Sequence, residues 1–184
     1  MTQTLRIGLI CAVAMSFALA GGDPARAASA EEINIKVDEA LERFEKDITG
    51  GDRFLAAAKG VLVFPGVIKA GFGIGGEYGE GALRIGGETV EYYSTAAGSF
   101  GLQIGAQSKA VYLIFMQQEA LDNFRNSSGW KAGVDGSINM IKVGAAGAID
   151  TTNIQDPIIG FVLTNAGLMA NITLEGSKYT KIVR

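Results

Sequence analysis

The sequence predicts an α+β domain, with an N-terminal amphipathic helix packed on a strongly curved, glycine-rich antiparallel sheet of barrel-like form. Three observations predict it. Apolar residues recur at three- and four-residue steps between Ile33 and Ile48, after which the pattern shortens to β-branched runs. Thirteen glycines fall between Gly60 and Gly105, and glycine inside strands marks bends, bulges and close backbone approaches. No regular helix alternates with the strands, which disfavours a doubly wound parallel sheet.

The first 27 residues read as a leader. Met1 to Arg6 carries one positive charge, Ile7 to Ala20 is apolar, and a small-residue stretch follows with Ala25-Arg26-Ala27 as the best cleavage sequence. Ala18-Leu19-Ala20 and Ala28-Ser29-Ala30 are the alternatives. The apolar run is too short for a bilayer core of about 30 Å, which argues for a cleaved signal peptide over an anchor. Cys11 lies too early in that run to be a lipidation site. With residues 1–27 removed, 14 basic and 18 acidic residues remain, a net charge of −4. That balance gives no basic stripe for nucleic acid. The expectation is a periplasmic or secreted protein, with residues 28–184 forming one domain that is helical over 29–59 and mostly β over 60–184.

Ser29 and Glu32 form an S-x-x-E capping box in which each side chain meets a free backbone N–H. Ile33, Val37, Ala40, Leu41, Phe44 and Ile48 make the apolar stripe of the helix that follows, and Gly50-Gly51 ends it. Asp52 is the expected cap of a second short helix, Arg53 to Lys59. Strands are then expected at Val61–Phe64, Phe72–Tyr78, Ala82–Ile85, Val90–Tyr93, Phe100–Ile104 and Val111–Met116. Gln118 to Phe124 reads as a short helix. Lys131–Val143, Ile158–Leu163, Leu168–Leu174 and Tyr179–Val183 complete the sheet, with turns at Pro65-Gly66 and Asp156-Pro157.

The composition excludes much chemistry. The chain has no histidine, and its one cysteine is in the leader, so Ser-His-Asp, Cys-His, haem-histidine and zinc sites are ruled out for the remainder. No cofactor is expected. Gly71-Phe72-Gly73-Ile74-Gly75-Gly76 contains G-x-G-x-x-G, but Glu77-Tyr78-Gly79-Glu80-Gly81 follows, where two glycines in five residues do not start a helix and the glutamates repel phosphate. Ser108-Lys109 and Ser177-Lys178 are adjacent pairs, which point to opposite faces of a strand. Glu77, Glu80, Glu88 and Glu91 keep a carboxylate-dependent hydrolase open as an alternative. Lys36, Arg43, Lys46, Arg53, Lys59 and Lys69 alternate with Phe44, Phe54, Phe64 and Phe72. That mixture fits either a membrane interface or an ordinary solvated face with its rings in the core. Binding is therefore expected rather than catalysis.

From Ala58 onward the sequence resembles the SYLF domain family, the lipid-binding domain also known from yeast actin-patch proteins. The resemblance is carried by Ala58-Lys59-Gly60-Val61-Leu62-Val63-Phe64-Pro65, by Val67 to Gly76, by Ser99-Phe100-Gly101-Leu102-Gln103-Ile104-Gly105-Ala106-Gln107-Ser108, and by Asn165 to Gly176. It implies peripheral binding of membrane phospholipid without catalysis, and bacterial members of the family are typically exported. Where many members have a tryptophan-containing G-S-W-S-x-P segment, this chain reads Gly87-Glu88-Thr89-Val90-Glu91-Tyr92-Tyr93. Lys59 and Lys69 lie on matched motif positions and are the expected headgroup contacts, with Phe64 and Phe72 as apolar partners. A non-catalytic structural or envelope-assembly role with protein partners is the alternative reading.

Overall fold

A computed structural model describes residues 28–101, 107–141, 155–169 and 172–184, with backbone alone at 70–74, 99–101 and 107. The expected leader lies outside the described residues. So do Leu102 to Ile104, Lys142-Val143 and Ala170-Asn171 of the expected strands, and the side chain of Phe72.

Helix α1 spans Ala30–Asp47, and the Ser29 hydroxyl accepts the Glu32 N–H at 3.1 Å, one half of the expected capping box. Its buried face is Ile33, Val37, Ala40 and Phe44, the expected stripe. Helix α2 spans Gly51–Ala57 and is not capped by Asp52, which sits inside its first turn. Gly50 holds the N-cap position at φ 78°, a left-handed backbone that leaves a side-chain cap no place to act. Helix α3 is Gln118–Asn126.

Among the described residues eight strands form one sheet: β1 (Gly60–Ile85), β2 (Glu88–Gly101), β3 (Gln107–Phe115), β4 (Trp130–Lys131), β5 (Asn139–Met140), β6 (Ile158–Thr164), β7 (Gly167–Leu168) and β8 (Lys178–Ile182). The order is β4-β8-β2-β1-β3-β6-β5, with β7 on β6, and the sheet curls into a half-barrel. Three expected strands are one: β1 is 26 residues long, where strands are usually 3–10 residues, about 20 Å. The glycines within it bend the backbone without breaking it. The expected turn at Pro65-Gly66 is a bulge, where the pairing with β3 shifts between Phe64 and Val67.

Two expectations need correction. The sheet is mixed, because β5 runs parallel to β6. The connection from Ile141 to Pro157 has the length a parallel crossover requires, and Gly160 makes room for the edge, since a Cβ there would fall 2.6 Å from Met140 Sδ. The long strand expected at Lys131–Val143 is also broken. The Asp135 carboxylate accepts the Lys131 N–H at 2.6 Å and Gly133 adopts φ 82°, so the chain turns after β4. Beyond β7, Thr173 Oγ1 accepts the Glu175 N–H at 3.1 Å, a local turn within the expected strand Leu168–Leu174.

The two-residue pleat of the strands separates two cores. Val61, Val63, Tyr112, Ile114, Ile159 and Phe161 face α1 and α2, packing on Val37, Phe44 and Phe54. Leu62, Phe64, Val111, Leu113 and Phe115 face the other way, toward Phe124 of α3, Trp130 and Tyr179. Tyr112 joins the first core to α1 by donating to the Ala40 carbonyl at 2.8 Å, and burial pushes its hydroxyl up to about 12.

β1 achieves this by folding back on itself. Residues near its start lie against residues near its end: a Cβ at Gly81 would fall 2.0 Å from the Val63 carbonyl oxygen, and one at Gly79 would fall 3.1 Å from the Gly66 oxygen. Only glycine permits this backbone-to-backbone approach. Gly81→Ala is therefore expected to cost about 3 kcal/mol or more in urea unfolding. Gly98→Ala, with no atom within 4 Å of its Cβ, is expected to stay within about 0.5 kcal/mol of wild type.

Candidate functional site

Helix α1 lies across the folded-back strand and leaves a cleft on each flank. The first, about 440 Å³, runs between the N-terminal half of α1 and β1, with Glu32 and Lys36 on the helix side and Pro65, Ile68, Tyr78 and Glu80 on the strand side. Ile68 and Tyr78 are 53% and 52% exposed, although both are large and apolar. The charges along this cleft are mutually paired. Lys36 Nζ meets Glu32 at 2.6 Å, Glu80 accepts from the Tyr78 hydroxyl at 2.8 Å, and Arg184 pairs with Glu80.

The second cleft, about 320 Å³, lies between α1, α2 and the β1–β2 turn, walled by Leu41, Leu55, Ala58, Val61 and Arg84. Its polar edge is a seam joining the turn to α1. Arg84 Nη2 pairs with Asp38 at 2.5 Å, Arg84 Nη1 donates to the Gly87 carbonyl at 3.3 Å, and Thr89 donates to Asn34 Oδ1 at 2.8 Å. A third cleft, about 390 Å³, opens beside α3 and Trp130. It carries Glu119 and Asp135 but no lysine or arginine, so it offers a phosphate no counter-charge.

The expected contact residues do not converge on one site. Lys59 is exposed and stands between Ala58 and Gly60, both of which line the Arg84 cleft. Lys69 is partly buried and follows Ile68 on β1, so its side chain leaves the opposite face of the strand from Ile68. Ten residues of strand, up to about 30 Å, separate the two lysines. Phe64 is fully buried, stacked 5.7 Å from Tyr179 in the α3-side core. Phe72 lies within β1, its side chain outside the described residues. Ile68, Tyr78 and Arg84 were not singled out from sequence. Ile68 and Tyr78 look like strand core residues until the bulge and the fold-back of β1 set their facing.

Residues 96–182 match a protein-family model described as Ysc84, Las17-binding protein actin regulator. The match takes in the Ser99–Ser108 and Asn165–Gly176 segments, two of those that carry the SYLF resemblance. No curated protein matches the sequence.

The match covers the end of β2 through β8, so α1, α2 and β1, which build both α1 clefts, lie ahead of it. Three of the four carboxylates that kept hydrolysis open, Glu77, Glu80 and Glu91, serve as cross-links. Glu77 pairs with Lys109 at 2.7 Å, and Glu80 is held by Arg184 and Tyr78. Glu91 of β2 accepts from Arg125 of α3 at 2.9 Å, from Lys181 of β8 at 2.7 Å and from the Tyr93 hydroxyl at 2.6 Å. Burial alone would raise the Glu91 carboxyl, but these hydrogen bonds outweigh it and hold it at about 2. A carboxylate held so low does not act as a general acid near neutral pH. Burial first, and then the hydrogen bond to the Glu91 carboxylate, push the Tyr93 hydroxyl well above its usual range.

The folded Glu91 carboxyl lies below its ordinary value of 4.5, so its stabilising contribution is complete above that value and is lost as the pH falls toward 2. Glu91→Gln is expected to be less stable than wild type at pH 7, with the difference shrinking steadily below pH 4.5 in urea unfolding curves. A difference that stays constant down to pH 2.5 would show that the ion-pair hub does not act this way.

Proposed function

We propose that the chain is an exported, peripheral phospholipid-binding module of the cell envelope, and that the α1–β1 face is its membrane-contacting face. The observation that carries this reading is the pair Ile68 and Tyr78, each about half exposed on one cleft. Six large hydrophobic side chains are exposed among the described residues, and these two share a single concave site. Tyrosine suits a membrane boundary because its ring is apolar and its hydroxyl stays wet. Lys36, which lines the same cleft, places an amine where lipid phosphates would lie.

The SYLF resemblance supports phospholipid as the ligand, and the leader-like first 27 residues support an envelope location. The family description names a Las17-binding actin regulator; for an exported chain the lipid is the property carried over. Nothing in the pairing of Glu77, Glu80 and Glu91 calls for catalysis. No helix among the described residues is long and apolar enough to cross a membrane, which suits a peripheral mode.

Co-sedimentation with phosphatidylethanolamine–phosphatidylglycerol vesicles tests the reading. Ile68→Ser with Tyr78→Ser is expected to weaken partitioning about tenfold, while Val134→Ser, on a side chain 71% exposed elsewhere, leaves it unchanged. Equal sedimentation of all three proteins would remove the α1–β1 face as the membrane contact. Absence of sedimentation by wild type would favour a protein partner instead.

A further inference from the structure

The Arg84 cleft has an incomplete recognition pattern. A guanidinium presents Nε–H and one Nη2–H side by side, a fork that matches the two oxygens of a carboxylate. Asp38 fills only the Nη2 half, at 2.5 Å, while Nε is buried with no hydrogen-bond partner among the described residues. The Arg84 side chain is 13% exposed and Asp38 is 62% exposed. The arginine is thus held in place and its acidic partner is free to swing into water. A buried donor without an acceptor is unfavourable, and an anion occupying both halves of the fork would remove that penalty.

The surroundings specify the rest of such a ligand. Leu41, Leu55, Ala56, Ala58 and Val61 make the lining apolar, and no acidic side chain lines the cleft. Lys59 stands beside it and forms no ion pair among the described residues. At about 320 Å³ the space lies at the small end of ligand sites, about 300–1,000 Å³, and suits one acyl chain better than two.

We propose that this cleft binds a long-chain fatty acid, its carboxylate on the Nε–Nη2 edge of Arg84 in place of Asp38 and its chain along Leu41, Leu55 and Val61. The site is separate from the Ile68–Tyr78 cleft and does not depend on vesicle binding.

Fluorescence titration of the full chain with cis-parinaric acid, followed by displacement, tests it. Saturable binding is expected, with palmitic acid displacing the probe and hexadecanol doing so about tenfold less well for want of the charge. Arg84→Lys, which keeps the charge but removes the fork, is expected to weaken binding about tenfold. Ala58→Trp, which fills the cleft, is expected to abolish it, and Asp38→Ala to leave it intact or tighter. Ile68→Ser with Tyr78→Ser should bind the probe normally, so a failure of vesicle binding and a failure of this site are distinguishable. Cooperative thermal melting of Arg84→Lys and Ala58→Trp checks that each is folded. Unchanged binding by folded Arg84→Lys and Ala58→Trp would overturn the proposal, as would hexadecanol matching palmitic acid. Displacement by a lysophospholipid but not by palmitic acid would overturn the carboxylate assignment.

Discussion

The contact between the backbones of Gly81 and Val63 governs the rest of the structure. It lets one strand double back within its own length, so that its first half pairs with β3 and its second half with β2. A side chain at residue 81 would force the halves apart and open the sheet between β2 and β3. With the halves together, the curled sheet covers one core with α1 and α2 and the other with α3 and Trp130. The curvature that glycine allows is therefore what gives a single sheet two buried faces.

The same folding-back creates the proposed membrane-contacting face. Because β1 bends under α1, its middle section carries Ile68 and Tyr78 out beside the helix, where no other element among the described residues covers them. At the far end of the strand, the bulge before Arg84 and the glycine turn after it bring the guanidinium against Asn34 and Asp38. Both clefts are by-products of laying a straight helix across a strongly curved strand. Opposite them, the Glu91 hub ties β2, α3 and β8 together and keeps the other half of the sheet closed.

Much of this was legible in the sequence. The spacing Ile33, Val37, Ala40, Phe44 marked the buried face of α1, and the Ser29 cap marked its start, because helix period and capping are local. The crowding of glycines between Gly60 and Gly105 marked the curvature. Facing and contact were less legible. Phe64 was expected at a lipid and is in the core, since pairing register decides which side of a strand faces inward. Asp52 was expected as a cap, but the left-handed Gly50 starts α2 earlier. Ile68, Tyr78 and Arg84 gain their significance from contacts with residues 10 to 50 positions away, which no local pattern records.

Hydrogen–deuterium exchange of the protein with and without phosphatidylethanolamine–phosphatidylglycerol vesicles tests the central claim most directly, that the α1–β1 face is where this domain meets lipid. The account predicts vesicle-dependent protection of residues 28–36 and 65–80, with α3 and β4 unaffected. Protection centred on α3 and Trp130, with the α1–β1 segments unchanged, would contradict it.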